Sequence, residues 1–220
     1  MGQDSRDILE YYERRRREYQ RMYDIPERQG ELADLKRKFC EWFDGRDVLE
    51  IACGTGYWTN CIAAAARSVL ATDLSEGVLE LARQKSYPKG NVKFAVADAF
   101  SLAGVGSDFS AALAGFWFSH VPIGRRREFL VNLHSHLKAG ATVVMVDNLY
   151  LPGRSSPQAP RRDAEGNTYS VRQLSDGSRW EILKNFPTPA ELADALAGVG
   201  MAPSYQQGQY YWTLKYQTPP

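Results

Sequence analysis

Two glycines and a row of acidic side chains carry the chemistry of this chain. The run Val48-Leu49-Glu50-Ile51-Ala52-Cys53-Gly54-Thr55-Gly56-Tyr57-Trp58-Thr59 reads as an apolar strand, an acidic residue, a Gly-x-Gly turn and a helix start. Glycine lets the backbone turn tightly and lets a ligand approach where a Cβ would stand. The run is therefore a cradle for a nucleotide-like cofactor. A dinucleotide fingerprint places a third glycine three residues after the second. Here that position is Thr59, and Glu50 stands four residues before Gly54, giving E-x-x-x-G-x-G.

The segments that follow repeat the arrangement. A helical stretch 57–67 leads to Ser68-Val69-Leu70-Ala71-Thr72, which closes on Asp73. The helix 76–86 leads to Val92-Lys93-Phe94-Ala95-Val96-Ala97, which closes on Asp98. The run 109–114 opens into Gly115-Phe116-Trp117-Phe118-Ser119-His120-Val121-Pro122. One Asp after a strand is as readily a helix cap as a ligand. Four successive strand ends bearing Glu50, Asp73, Asp98 and the His120 loop instead suit an open α/β sheet, which binds ligands outside the carboxyl ends of its strands. A carboxylate ending the second strand can accept hydrogen bonds from both ribose hydroxyls, and Asp98 suits an adenine amino group.

These residues need a scaffold, and 220 residues of which 44% are hydrophobic supply one α/β domain with room for a lid. A net charge of +1 provides no field to recruit nucleic acid or membrane. Cys40, Cys53 and Cys61 have no metal spacing, so reduced thiols and a cytoplasmic location are expected. The polar start has no signal-peptide pattern, and Arg6 breaks a myristoylation pattern. No metal site is expected; Asp147-Asn148 alone is a weak hint of one. Oligomeric state is left open, with a homodimer as the candidate assembly.

Four regions follow. Residues 1–45 form a helical cap: a helix 4–24 with Ile8, Tyr11, Tyr12, Tyr19, Met22 and Tyr23 on one stripe, then a helix 31–43. Residues 46–148 form the strand–helix core, including a helix 125–137 and a fifth strand 141–146. Residues 149–186 are an insertion that starts loop-like and ends in a hairpin about Asp176-Gly177. Residues 187–220 hold a helix opened by the capping box Thr188-Pro189-Ala190-Glu191, then two strands. A two-residue hairpin turn sets Arg172 opposite Glu181 and Tyr169 opposite Lys184. One face then carries Tyr169, Val171, Trp180, Ile182 and Lys184, and Lys184 has no carboxylate opposite it.

The E-x-x-x-G-x-G pattern, with the acidic strand ends in order, resembles the class I S-adenosylmethionine (SAM) dependent methyltransferases over residues 11–216. That resemblance implies a Rossmann-like α/β fold: a seven-stranded, mostly parallel sheet with an antiparallel last strand, helices on both faces, an N-terminal helical lid and an inserted β-hairpin. It implies that Glu50, Gly54 and Gly56 hold the methionine end of SAM, Asp73 the ribose, and Asp98 with Ala99 the adenine. Leu74 and Phe100 would cover the purine. Ala52, Trp58 and Phe116 join the cofactor set, although Phe116 or Phe118 equally reads as core. Tyr19 and Tyr23 would close over the cofactor or pack their helix. His120 falls where the family often places a residue near the transferring methyl, as a general base, a positioning donor or a plain loop cap. The stretches 11–15, 115–122, 163–169 and 183–186 resemble a group of small bacterial natural-product enzymes that includes a phosphonate O-methyltransferase of dehydrophos-type pathways. An O-methyltransferase acting on a small anionic acceptor, a phosphonate first, is the reading this favours, with Lys184, Arg172 and Tyr169 as candidates to meet the anion.

Other classes fit less well. Methylation of nucleic-acid bases usually comes with Asn/Asp-Pro-Pro-Tyr/Phe after the fourth strand, where this chain has Gly115-Phe116-Trp117. A nicotinamide dehydrogenase lacks its third glycine. A different small acceptor (carboxylate, phenol, amine or carbon) and a SAM-binding protein without turnover stay open.

Overall fold

The computed structural model describes residues 10–15 and 23–220; residues 10–15 are helical, and Tyr19 lies outside the described residues. The described residues form ten strands: β1 (Asp47–Ile51), β2 (Ser68–Asp73), β3 (Val92–Val96), β4 (Phe109–Gly115), β5 (Leu137–Asn148), β6 (Gln158–Arg162), β7 (Thr168–Gln173), β8 (Arg179–Leu183), β9 (Met201–Gln207) and β10 (Tyr211–Gln217). Seven form the main sheet in the order β3-β2-β1-β4-β5-β10-β9. Pairing is parallel from β3 through β5, and β10 runs antiparallel to both β5 and β9.

The central strands are apolar because both of their faces are covered. Val48, Ala111, Leu113, Val144 and Val146 pack on one side with Leu35, Phe39 and Phe43 of α1 (Gln29–Phe43) and Ile62 of α2 (Tyr57–Ala63). Leu49, Ile51, Ala112, Val143 and Met145 alternate to the other side. They meet Phe129 and Leu133 of α4 (Arg126–Ser135) and Leu192 and Leu196 of α5 (Pro189–Leu196). The helix α3 (Glu76–Arg83) adds Leu79 to the first side. Strand order reverses between β1 and β4, which is where doubly wound sheets open a crevice for ligands.

Three expectations need correction. The strand expected at 141–146 begins at Leu137, because α4 ends at Ser135 and the His136 carbonyl accepts the Phe109 N–H at 3.2 Å. The insertion opens with a strand, β6, where a loop-like start was expected, so the expected hairpin, β7–β8, is part of a three-stranded sheet, β6-β7-β8. Pro160 sits in its edge strand β6, where a missing N–H does least harm. The β7–β8 register is shifted by one residue. The loop is the three residues 175–177, with Gly177 at φ +84° and the Leu174 N–H donating to the Ser178 carbonyl at 3.0 Å. Arg172 therefore faces Trp180, Val171 faces Glu181, and Tyr169 faces Leu183. A slip of one residue exchanges the two faces of a strand. Arg172 joins the Trp180–Ile182 face, and Glu181 pairs with Arg161 at 2.7 Å instead.

Candidate active site

The carboxyl ends of β1 to β4 frame a cleft of about 910 Å³, part of it open to solvent. Gly54, at φ +57°, turns the chain so that its N–H donates to Asp73 Oδ2 at 2.9 Å, while Asp73 Oδ1 accepts the Ser75 N–H at 3.0 Å. Burial raises the Asp73 pKa despite those bonds. Asp98 is fixed in the same way, its Oδ1 accepting the Phe100 N–H at 2.8 Å. Ala52, Leu74, Ala99, Phe100 and Phe116 line the cleft with these two carboxylates. Ala52 (φ +50°) and Phe116 (φ +58°) hold left-handed backbone at the ends of neighbouring strands. Such strain costs on the order of 1–3 kcal/mol each and concentrates at functional sites.

Four proposed cofactor residues stand outside this lining. Glu50 is buried, with Oε2 lacking a hydrogen-bond partner, and burial pushes its carboxyl up to about 8. An orphaned acid beside the glycine turn fits a cationic ligand group better than an apolar core. Gly56, at φ +75°, starts α2; a Cβ there would meet the Tyr87 hydroxyl at 2.6 Å, so its glycine serves the turn itself. Trp58 packs under Gly115 in the core. Tyr23 stacks on Tyr57, ring centres 3.6 Å apart, rather than facing the cleft. An aromatic on an amphipathic stripe satisfies helix packing as readily as ligand contact, and at Tyr23 packing prevails.

A second cleft, of about 1000 Å³, adjoins the first; Tyr12, Phe116 and His120 line both. It is cationic. Arg15, Arg28, Arg154, Arg172 and Lys184 line it, and no carboxylate does among the described residues. The corrected register is what delivers Arg172 here, where its Nη1 donates to Ser156 Oγ at 2.6 Å. Tyr169 lies in neither cleft. It is buried in the small-sheet core, its hydroxyl donating to Asp163 at 3.2 Å and Arg161 covering its ring at 3.6 Å.

His120 is held from both sides in a short helical turn (Phe118–His120). Nδ1 lies 2.7 Å from the Leu183 carbonyl and Nε2 3.1 Å from the Tyr12 hydroxyl. A carbonyl only accepts, so Nδ1 carries the proton and Nε2 accepts from Tyr12. Burial, with the Lys184 ammonium next, pushes the imidazole down to about 3. A neutral imidazole whose lone pair already holds a hydroxyl suits positioning rather than proton removal. Tyr12, read from the sequence only as part of a helix stripe, is therefore a site residue, and nothing in the helical spacing distinguishes it from Tyr11. The pKa has a consequence for stability. Between pH 6.5 and about 3 the unfolded chain binds a proton at His120 that the folded chain does not, so stability falls as pH drops through that window. The slope contributed is at most about 1.4 kcal/mol per pH unit. His120→Gln should flatten urea-unfolding stability measured at pH 4.5, 5.5 and 6.5 by that amount; an unaltered slope would show that His120 titrates alike in both states.

Lys184 is not free of a carboxylate, contrary to expectation. Its Nζ donates to Asp147 Oδ1 at 2.8 Å and to Ser119 Oγ at 2.6 Å, and all three side chains are buried. Asp147 Oδ2 also accepts the Ser119 N–H at 3.1 Å. Burial alone would raise the Asp147 pKa; the Lys184 ammonium and the Ser119 bond outweigh it and hold the carboxyl below 3.8. The weak hint of a metal ligand at Asp147 resolves into this ion pair. An ammonium has three N–H bonds, so one is left for the cleft.

Residues 48–140 match the family model for a methyltransferase domain. The chain is similar over 98% of its length to DhpI in complex with SAM and HEP, with TM-score 0.80, 28% identity and 99% of that chain covered. The DhpI–SAH complex gives TM-score 0.78 at 28% identity, covering 98% and 97%. A demethylmenaquinone methyltransferase of Staphylococcus aureus (strain MRSA252) is 33% identical over 109 residues, 47% of this chain. The chain spans under half the length of such curated relatives, 43% in this case. Among the described residues no helix is long and apolar enough to cross a membrane.

Proposed function

We propose, from the premise that the chain belongs to the class I SAM-dependent methyltransferases, that it transfers the SAM methyl group to an oxygen of a small anionic acceptor, with a phosphonate first. The observation that carries this reading is the juncture of the two clefts. A carboxylate-lined cradle and a cation-lined cleft meet at Tyr12, Phe116 and His120, and no carboxylate opposes an anion in the second cleft among the described residues. The near full-length likeness to DhpI, solved with SAM and HEP, supports it.

SAM, when bound, supplies a methyl group on a positively charged sulfur that leaves as a neutral thioether. The chain's part is to bind, aim and exclude water. Asp73 would hold the ribose hydroxyls, Asp98 with Ala99 the adenine, Leu74 and Phe100 the purine faces, and the Glu50–Gly54–Gly56 turn the methionine end. In the acceptor cleft Arg172 and the remaining Lys184 N–H would grip the oxyanion. A phosphonate oxygen is already ionised at neutral pH and needs orientation rather than a base, which agrees with a neutral His120. Holding two reactants in line is worth roughly 7–11 kcal/mol of barrier. The 149–186 insertion would act as the acceptor lid. The unpaired cysteines suit a reducing cytoplasm.

The test is a panel of 2-hydroxyethylphosphonate-like acids, carboxylates, phenols and amines incubated with methyl-labelled SAM. Label on a phosphonate oxygen is the expected result. Turnover confined to phenols or amines would overturn the anionic assignment, and SAM binding without turnover of any acceptor would favour a non-catalytic protein.

A further inference from the structure

Two arginines of the cation cleft have no part in gripping the transferring oxygen. Arg28 ends the turn Pro26–Arg28 before α1, and Arg154 lies in the loop after β5. Both meet on one buried ring. Arg154 Nη1 donates to the Tyr210 hydroxyl at 3.2 Å, and the Arg28 guanidinium carbon lies 5.4 Å from the centre of the Tyr210 ring and 5.8 Å from that of Tyr211. Among the described residues neither guanidinium forms an ion pair. Glu31, three residues beyond Arg28, is committed elsewhere: its oxygens accept the N–H groups of Gln209, Tyr210 and Tyr211 at 3.1, 2.9 and 3.1 Å.

Like charges gathered on one side chain repel unless an anion joins them. Aromatic faces hold the Arg28 guanidinium and the Tyr210 hydroxyl holds that of Arg154, which leaves N–H groups of both for a ligand. This pair is set apart from the Arg172–Lys184 pair but close to it. Arg172 is tied to Ser156, two residues along the chain from Arg154, a Cα separation of at most about 7 Å. The two pairs thus line one cleft, where a small molecule with an acid at each end can meet both.

We infer that Arg28 and Arg154 form a second anion subsite, so that the acceptor is a bifunctional acid. One anionic group would sit at Arg172 and Lys184 beside the transfer point, and another, such as a carboxylate, at Arg28 and Arg154. This rests on the reading of the cleft as an anionic acceptor site.

Ethylphosphonate and 3-phosphonopropionate differ by one terminal carboxylate and separate the two ideas. Each is titrated calorimetrically into protein saturated with S-adenosylhomocysteine. The diacid is expected to bind at least tenfold more tightly than the simple acid. In the Arg28→Met/Arg154→Met variant that preference should fall below threefold, with Arg154→Met alone, at an exposed position, as the variant least able to disturb folding. Arg154→Lys should restore part of it. Equal affinity of the unaltered protein for the two acids overturns the subsite, as does a preference that survives in both methionine variants. Failure of both acids to bind overturns the anionic reading together with the subsite, whereas binding of ethylphosphonate with no gain from the carboxylate overturns the subsite alone.

Discussion

Asp147→Ala is expected to destabilise the protein by about 3–5 kcal/mol, the usual cost of breaking a buried ion pair from one side. For a chain of this length that corresponds to a fall in Tm of roughly 6–20 °C. Asp147 is fully buried, and the Lys184 side chain is 4% exposed. Without the carboxylate, the ammonium keeps only Ser119 Oγ as an acceptor, in surroundings that already push its pKa down by burial. The Ser119 and Asn148 N–H groups lose their acceptor as well. The pH dependence has a definite sign. The folded Asp147 pKa lies below its ordinary 3.8, so its stabilisation is complete above that value and is lost as pH falls through the folded pKa. Replacing both partners, in Asp147→Leu/Lys184→Met, should recover most of the loss, because an apolar pair of similar size pays no desolvation. It should not recover the grip on the acceptor: with Lys184 gone, the acceptor KM should stay raised while SAM affinity is retained. Chemical unfolding of the two variants checks the stability changes, and acceptor kinetics of the double variant checks the KM. A loss under about 1 kcal/mol for Asp147→Ala, or a double variant no better than the single, would show that the pair is not a buried ion pair.

The same residues mark where the sequence stops being informative. The cradle was legible because its signals are local: glycines four and six residues after an acid, and carboxylates that follow apolar runs. Asp73, Asp98, Ala99 and Phe100 line the cleft for that reason. The acceptor side is built from contacts between distant segments. Asp147 and Lys184 are 37 residues apart, and Tyr12 and His120 are 108 apart. No spacing rule relates them. The Asp176-Gly177 pair signals a turn without distinguishing a two-residue loop from a three-residue loop with glycine last. Arg172 was a candidate from the sequence, but that one-residue ambiguity set it opposite Glu181 instead of Trp180. The third strand β6 was hidden by Pro160, a residue that argues against strands except at an edge.

Asp73→Ala should weaken SAM binding by about 10²–10⁴-fold, and this is the largest effect expected in the cofactor cleft. Hydrogen bonds to a charged acceptor are worth roughly 1.5–3 kcal/mol each, and a ribose diol would lose two. The carboxylate also closes the turn by accepting the Gly54 and Ser75 N–H groups, so part of the loss could come from a loosened backbone rather than from the ribose. Asp73→Asn separates these contributions. Its amide oxygen can still close part of the turn, but it offers the diol an N–H in place of one acceptor and carries no charge. If the ribose contact dominates, calorimetry will find Asn nearly as damaging as Ala. Near-full affinity in the Asn variant would reduce Asp73 to a support for the glycine turn, and affinity retained within fivefold in the Ala variant would remove it from the cofactor site. The acceptor cleft offers an internal control: its cations lie outside the Asp73 network, so ethylphosphonate should bind either variant as it binds the unaltered protein. A parallel loss of both ligands would point to unfolding of the sheet edge rather than to a missing contact.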